Sequence, residues 1–218
     1  QEPSAYAAAF VVGARTFLEK QFAKFVLVKV RENPTAARLG PKPGPIFLVR
    51  AFLKVKYFDR SWPSEFEDVV DEHPFWAQIY YLLRCGHVDA AVELAESWPA
   101  AGAMRDYLAE YAASENRMLP AELWTQLLSE NRQLPRDSDR YKLAVYNLLG
   151  RCDTGKTYVS ETTQDFLWVK LALVTQDVGE LPPALSSHQY TLGELQKLLG
   201  AESTAAQGAE TTAAQAGQ

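Results

Sequence analysis

The stretch PFWAQIYYLLRCGHVDAAVELAESW, residues 74–98, decides the fold. Its apolar residues recur at steps of three and four, the spacing of one helix face, in two blocks that Gly86 separates. The blocks are Trp76, Ile79, Tyr80 and Leu83, then Val88, Ala91, Val92, Leu94 and Ala95. Pro74 stands where a first-turn proline is common, and Gly86 is typical of a helix C-terminus. The stretch predicts two antiparallel helices joined by a tight turn, the unit that stacks in α-helical solenoids.

Helical spacing continues on both sides of this pair. Before it, the pattern predicts a long amphipathic helix over residues 4–28, although residues 25–30 also alternate like a strand, and a second helix over 46–58. Residues 34–45 are predicted as a loop, and 61–74 as an acidic connector with a helical turn. After the pair, helices are predicted over 104–113, 120–128, 140–149, 165–174 and 192–199, the last two with capping boxes at Thr162 and Thr191.

Neither a repeat of fixed length nor a convincing run of paired strands is visible in the sequence. We therefore predict an all-α fold, an irregular α-helical solenoid built of antiparallel helix pairs and containing roughly nine helices. Residues 1–200 are expected to form this solenoid domain. Residues 201–218 are a low-complexity Ala/Gln/Thr segment without large apolar side chains, and we expect a disordered linker there.

Composition limits the class of protein further. The chain has 218 residues, 47% of them hydrophobic, and Gln1 in place of a start methionine suggests a fragment. The longest apolar run, residues 5–14, is too short to span a membrane. Two distant cysteines form no disulfide framework and favour a reducing compartment. No nucleic-acid-binding motif is present.

Charge is distributed unevenly along the chain. Residues 1–60 hold 11 Lys and Arg against 4 Asp and Glu, whereas residues 61–218 hold 11 against 23. The basic stretch over residues 29–60 has two interpretations, a binding surface for phosphate or acidic lipid, or a solvated face beside an acidic one, and we favour the second.

The segment GRCDTGKT, Gly150–Thr157, matches the phosphate-binding pattern G-x-x-x-x-G-K-[ST]. That pattern binds nucleotides only where a strand leads into the loop and a helix begins at the Lys-Thr. Here the preceding residues have helical spacing, and Asp137, Ser138 and Asp139 offer an N-terminal cap for that helix. The sequence therefore favours a glycine that ends a helix and is followed by a polar loop.

Other chemical candidates are weaker. His73, Cys85 and His87 are close in sequence, but a fourth metal ligand is not evident. Catalysis by Cys85 or Cys152 would need a positioned base, and the chain has only three histidines. We predict no catalytic residues, no cofactor and no metal. Three tryptophans fall on apolar stripes and are predicted to lie in the core: Trp76, Trp124 and Trp168.

Several blocks of residues resemble, in order, the Nup-interacting-component family, the inner-ring linker nucleoporins of the nuclear pore complex, of fungal type. The blocks are HPFWAQIYYLLRCGHVDAAVELA (73–95), DRYKLAVYNLLGRCD (139–153), TQDFLWVKLALV (163–174) and TLGELQKLL (191–199). The family's Gly-Arg-Cys-Asp block needs no following Gly-Lys-Thr, so the resemblance implies that the phosphate-loop pattern is accidental.

The resemblance implies a non-enzymatic scaffold at the nuclear pore, in the nuclear envelope. It would anchor other inner-ring nucleoporins through linear motifs and solenoid contacts and so support nucleocytoplasmic transport. Direct binding to nucleic acid is not implied, and contact with the membrane would be indirect. The alternative is a generic α-solenoid adaptor in membrane trafficking, against which the ordered blocks argue.

The long first helix carries more large apolar residues than one face needs. They are Tyr6, Phe10, Val11, Phe17, Leu18, Phe22 and Phe25. Some are expected to pack on the solenoid and others to line a groove for an amphipathic segment of a partner. Phe10 and Phe17 are our candidate partner-binding residues, and the alternative is that all seven residues form intramolecular core.

Overall fold

The computed structural model describes residues 2–40, 42, 44–57, 61–135, 137–152, 159–174 and 191–197, and this part of the chain is almost wholly helical. Its helices are α1 (Glu2–Glu32), α2 (Pro34–Ala37), α3 (Pro45–Tyr57), α4 (Phe75–Arg84), α5 (Val88–Glu96), α6 (Ala103–Ala113), α7 (Ala121–Gln133), α8 (Arg140–Gly150) and α9 (Thr163–Leu173). Residues 192–197 are also helical. The prediction of an all-α fold is confirmed.

The boundaries differ from the predicted ones in several places. Helix α1 continues to Glu32, so residues 25–30 are helical and do not form a strand. The predicted loop over 34–45 contains the single turn α2, with Pro34 at its first position, where a missing N–H costs nothing. Helix α7 runs five residues beyond the predicted end. A 3₁₀ turn, Pro99–Ala101, was not predicted.

The acidic connector contains a small antiparallel ribbon where a helical turn was expected. Strands β1 (Val69–Val70) and β2 (His73–Pro74) pair with each other, and no other strand pair occurs among the described residues. Asp71 and Glu72 form the turn with positive φ angles of 49° and 65°. Pro74 therefore belongs to β2 and precedes α4 as its N-cap, outside the first turn in which the sequence placed it.

Helix α4 lies at the centre of the fold. Every residue from Phe75 to Arg84 is buried, because α4 packs against α3, α5 and α8 and contacts α1. The pair α4–α5 has the predicted tight turn, in which Gly86 has a φ of 77°. The tryptophans Trp76, Trp124 and Trp168 are all buried, as predicted. A cluster of three tyrosine hydroxyls, from Tyr57, Tyr81 and Tyr141, connects α3, α4 and α8.

Both capping boxes predicted from the sequence are present. The Thr162 hydroxyl accepts a hydrogen bond from the Asp165 N–H, and the Asp165 carboxylate accepts one from the Thr162 N–H. Thr191 and Glu194 exchange the same pair of bonds. Two predictions lie outside the described residues, namely the end of the last helix and the linker over 201–218. None of the helices in the described ranges combines the length and apolar character needed to cross a lipid bilayer.

Helix α8 begins at a buried aspartate with an unusual pKa. Asp139 is the N-cap, and its Oδ1 accepts a hydrogen bond from the Tyr141 N–H at 2.8 Å. Its Oδ2 is buried without a hydrogen-bond partner among the described residues. Burial raises the pKa of the Asp139 carboxyl to about 6, and nearby Glu67 and Glu65 contribute to the increase.

This pKa gives a stability prediction for Asp139→Asn. The folded chain binds the Asp139 proton more tightly than the unfolded chain, where an aspartate pKa is about 3.9. The protonated carboxyl therefore stabilises the fold fully below that value, and the contribution is lost as pH rises through about 6. Asparagine keeps the cap acceptor without the charge. We expect the free energy of unfolding of the native chain, measured with urea, to fall between pH 4 and pH 7.5. Relative to Asp139→Asn, the fall should be on the order of 2 kcal/mol. Parallel pH profiles for the two proteins would contradict this prediction.

Candidate partner-binding surface

Helix α1 has one buried face and one exposed face. Val11, Leu18, Val26 and Val30 pack into the core. On the other side Tyr6, Phe10 and Phe17 are 76%, 62% and 60% exposed. These three residues, which we name the aromatic stripe, are spaced four and seven apart and so share one helix face. The structure thus places both candidate residues, Phe10 and Phe17, on the surface of the described chain.

The same face continues as a basic surface toward the C-terminal end of α1. Lys20, Lys24 and Arg31 are exposed there. Between Tyr6 and Arg31 the sequence contains one acidic residue, Glu19, and its side chain is buried. Between Tyr6 and Arg31 the exposed face of α1 therefore carries positive charge without an exposed carboxylate, and the next acidic residue, Glu32, pairs with Lys29.

Glu19 joins α1 to two other parts of the chain, and to a third through Arg15. Its carboxylate accepts hydrogen bonds from Arg15 at 3.1 Å, from Arg117 at 2.6 Å and from the Trp168 indole at 3.2 Å. Arg15 also donates to the Tyr111 hydroxyl of α6. The carboxylate of a buried glutamate is stable only when its lone pairs are satisfied in this way.

Arg84 makes a second buried connection to α1. Its guanidinium donates to the Asp165 carboxylate at 3.0 Å and to the Leu18 carbonyl at 2.9 Å, and it lies 4.4 Å from the centre of the Phe22 ring. These contacts connect α4, α9 and α1. The two networks hold α1 at a fixed rotation about its axis, and so hold the aromatic stripe toward solvent.

Two grooves open on the surface of the described chain. One, of about 300 Å³, lies between α1, α3 and α4, and aromatic rings from Phe22, Phe25, Phe52 and Tyr81 line it. The other, of about 750 Å³, lies beside the β1–β2 ribbon and includes Arg38, Lys54 and Trp62 in its walls.

Part of the basic stretch over 29–60 is paired with the acidic part of the chain. Arg50 lies 2.8 Å from the Asp71 carboxylate, and Lys56 pairs with Glu161. This agrees with a solvated face beside an acidic one.

Comparison with known proteins gives the family. The model of the family described as Nup93/Nic96 matches residues 1–205, almost the whole chain. The chain belongs to the Nup93/Nic96 family.

Individual relatives agree with this assignment. The chain is 37% identical over 196 residues to Nuclear pore complex protein Nup93 of Danio rerio, covering 88% of this chain and 23% of the relative. It is 30% identical over 200 residues to Nucleoporin NIC96 of Saccharomyces cerevisiae, covering 85% and 23%. The crystal structure of Chaetomium thermophilum Nic96 SOL superposes with a TM-score of 0.73 at 28% identity, covering 86% of this chain and 28% of that chain.

The predicted resemblance and the solenoid class are thereby confirmed for the Nup93/Nic96 chain. It spans about a quarter of the length of the curated relatives it matches. Animal and fungal relatives match at comparable identity, so the fungal type remains a prediction.

In this Nup93/Nic96 chain the start of the phosphate-loop pattern forms the junction of three helices. Gly150 is the last residue of α8, so the pattern follows a helix where a nucleotide site requires a strand. The Gly150 carbonyl accepts a hydrogen bond from the Trp124 indole at 2.8 Å, and a Cβ at Gly150 would lie 2.8 Å from Leu127 Cδ2. The glycine lets α7 and α8 approach closely. Residues 153–157 of the pattern lie outside the described residues.

Arg151, the next residue, has a left-handed backbone with a φ of 50° and a buried side chain. It donates hydrogen bonds to the Val174 and Asn116 carbonyls, both at 2.8 Å, and to the Arg117 carbonyl at 3.3 Å. Burial lowers the pKa of the Arg151 guanidinium to about 10, with Arg15 nearby adding to the decrease, so it stays charged at neutral pH. Gly150 and Arg151, the first two residues of the phosphate-loop pattern, thus serve helix packing.

The cysteine and histidine candidates form neither a catalytic site nor a metal site with other described residues. Burial raises the pKa of the Cys85 thiol to about 12 and also raises that of Cys152, which disfavours the reactive thiolate. His73 bonds the Asp71 carbonyl through Nδ1, and His87 is the N-cap of α5. In the described part of the chain, no group of three or more His, Cys, Asp or Glu side chains could hold a metal ion.

Sequence reasoning missed the buried networks around Glu19 and Arg84. Their members are spread from residue 15 to residue 168, and local spacing does not show which of these charged residues meet. One signal was available, because Glu19 is flanked on the helix by Leu18 and Phe22, both on the predicted apolar face. A carboxylate on an apolar face indicates a buried partner.

Proposed function

We propose that this chain is part of a structural scaffold in the inner ring of the nuclear pore complex, at the nuclear envelope. There it anchors other nucleoporins through their linear motifs and through solenoid contacts, and so supports nucleocytoplasmic transport. Membership of the Nup93/Nic96 family, whose relatives carry nuclear pore names, is the main support. The role is non-enzymatic, with no direct contact to nucleic acid and an indirect relation to the membrane. The ordered family match disfavours a trafficking adaptor.

The aromatic stripe is the surface we assign to a partner. Exposed aromatic side chains that share one face are costly to leave in water and are enriched at the centres of protein interfaces. Three of them on one rigidly held helix supply the anchors that a solenoid uses to bind an amphipathic segment. We further propose that residues 1–200 form the solenoid domain and residues 201–218 a disordered low-complexity linker.

We expect Phe10→Glu and Phe17→Glu to weaken partner binding without unfolding the chain. Both side chains are exposed, so the charge is solvated in the free protein but would be buried in a complex. Loss of an interface aromatic costs about 2 kcal/mol or more. The full-length protein carrying each variant would be mixed with purified inner-ring nucleoporins, and the bound partners identified and their affinities measured.

Leu39→Glu is the matched control, because Leu39 is also an exposed large apolar residue but lies outside α1, after α2. It should bind every partner normally. If folded Phe10→Glu and Phe17→Glu proteins both retain all their partners, the stripe is not the binding surface. If both variants lose the helical circular-dichroism signal, the residues are core and the assignment is wrong.

A further inference from the structure

The groove beside the β1–β2 ribbon, of about 750 Å³, contains two cations that the fold does not pair. Lys54 of α3 is half-buried, and Arg38, directly after α2, is exposed. Within the described part of the chain, neither side chain forms an ion pair or a hydrogen bond. Arg50 and Lys56, on the same helix as Lys54, both pair with carboxylates. A half-buried lysine without a counter-charge is uncommon in a folded protein, so the groove is a candidate site for an anion.

His73 lines the same groove and has one unsatisfied ring nitrogen. Its side chain is buried, and Nδ1 bonds the Asp71 carbonyl at 2.6 Å, whereas Nε2 has no hydrogen-bond partner among the described residues. A carbonyl only accepts, so Nδ1 donates and Nε2 of the neutral ring presents a lone pair. Burial lowers the pKa of His73, and nearby Lys54 and Arg50 add to the decrease. The hydrogen bond to Asp71 and the charge of Glu72 oppose it. An anion bound beside Lys54 would offset the effect of the cations.

Arg38 occupies a backbone conformation that does not suit an arginine. Its φ and ψ are both 45°, in the left-handed region, where a helix end commonly has glycine or asparagine. Such a conformation costs stability in a residue with a Cβ, and strained residues are concentrated at binding sites. The other lining residues include the hydroxyl of Thr35, the apolar side chain of Val69 and one exposed carboxylate, that of Glu72. The groove therefore combines an excess of positive charge with room for an apolar group.

We propose that this groove binds an organic phosphate monoester, with the phosphate held by Lys54, Arg38 and His73 and the organic body against Val69. Two cations match the two negative charges of the ester, and an arginine can bind phosphate oxygens bidentately. The second pKa of a phosphate monoester is about 6, so the group can accept a hydrogen bond from the protonated His73 ring or donate one to the neutral ring. A sulfate ester can only accept. Soluble metabolites and lipid headgroups both carry this chemistry.

Isothermal titration calorimetry of the full-length protein with phenyl phosphate and phenyl sulfate tests the proposal. We expect the phosphate to bind, and the sulfate to bind more weakly at neutral pH because it has no proton to give to Nε2. Bound anion raises the pKa of His73, so binding of phenyl sulfate, which does not titrate, should weaken between about pH 6 and pH 8. His73→Asn keeps a donor for the Asp71 carbonyl but lacks Nε2, and it should remove this dependence. If phenyl phosphate does not bind, or if the native sulfate affinity is independent of pH, the proposal is wrong.

Variants of the two cations separate a built site from general attraction of anions. Lys54→Ala should lower the affinity for phenyl phosphate about tenfold, the loss of one charge-assisted contact. Arg38→Gly should lower it similarly while raising the Tm, because glycine adopts the left-handed conformation without strain. This variant stays informative even if other substitutions in the groove unfold the protein. Lys24→Ala, which removes an exposed lysine of α1 outside the groove, is the control and should bind normally. Normal binding by Arg38→Gly, or equal losses for Lys54→Ala and Lys24→Ala, would overturn the proposal.

Vesicles distinguish the two sources of the phosphate. Phosphatidylcholine vesicles containing phosphatidic acid present a phosphate monoester, whereas those containing phosphatidylglycerol present a diester. Sedimentation of the full-length protein with the first alone, abolished by Lys54→Ala, would assign the phosphate to a lipid. Binding of phenyl phosphate without sedimentation would assign it to a soluble molecule. Equal sedimentation with both vesicles would contradict a site for monoesters. The scaffold function does not involve this groove, so it stands or falls independently of these results.

Discussion

Replacing Glu19 with alanine should lower the free energy of unfolding by about 3–5 kcal/mol, the cost of removing one partner from a buried ion pair. The substitution would leave the Arg15 guanidinium, the Trp168 indole N–H and part of the Arg117 guanidinium without their acceptor in a buried site. It would also release α1 from α9 and from the segment before α7. Urea unfolding followed by circular dichroism would measure the loss.

A control on the same helix isolates the effect of burial. Glu32 pairs with Lys29 at 3.1 Å, but both side chains are about half exposed. Glu32→Ala should therefore change the free energy of unfolding by less than about 1 kcal/mol. Equal losses for the two variants would show that the Glu19 network adds nothing beyond a surface ion pair. Glu19→Gln should fall between them, because the amide still accepts hydrogen bonds but lacks the charge.

Replacing Arg151 with methionine should cost about 3 kcal/mol, because hydrogen bonds from a charged donor contribute about 1.5–3 kcal/mol each where the acceptors stay buried. The variant keeps an apolar stem of similar length but leaves the carbonyls of Val174, Asn116 and Arg117 without their donor. Arg151→Lys should lose less, since one ammonium replaces some but not all of these bonds. Thermal and urea unfolding would show whether stability decreases from the native chain to Arg151→Lys and then to Arg151→Met.

Lys156→Ala, in the same sequence pattern, is the matched control for Arg151. If Gly150 and Arg151 alone of the pattern serve packing, Lys156→Ala should leave stability unchanged. ATP and GTP with magnesium should also leave the Tm of the native chain unchanged, whereas a ligand at a hundred times its Kd would add about 2.7 kcal/mol. A nucleotide-dependent rise in Tm that Lys156→Ala removes would contradict this interpretation and restore a nucleotide site.

The rotation of α1 illustrates why part of the site could not be read from the sequence. The seven large apolar residues of the helix fall on more than one face, and spacing alone did not distinguish those in the core from those on the surface. In the structure Val11 and Leu18 are buried, Phe22 is half-buried, and Phe10 and Phe17 are exposed. Which of these residues are buried depends on the rotation of α1 about its axis. The hydrogen-bond partners of Glu19 and Arg84 fix that rotation, and they lie up to 149 residues away along the chain.

Gly86, in the turn between α4 and α5, is a second example of what the sequence predicts and what only the tertiary structure adds. Its glycine was predicted from the helix end alone, because a positive φ favours glycine at that position. The structure adds a second reason, since a Cβ at Gly86 would lie 2.9 Å from the Glu19 Oε2 of α1. The turn therefore has to be small both for its own backbone and for the carboxylate that packs against it.

By itself the sequence determined the longer helices, the two capping boxes, the α4–α5 pair and the family, because these depend on spacing within one or two turns and on ordered blocks of local residues. Only the tertiary structure decided the ribbon in the acidic connector, the buried ion networks, the role of Arg151 and the exposure of Phe10 and Phe17. Those features depend on contacts between distant residues and on which charges lose their water. Local periodicity carries no information about either, so the surface that would bind a partner emerges only when the helices are packed.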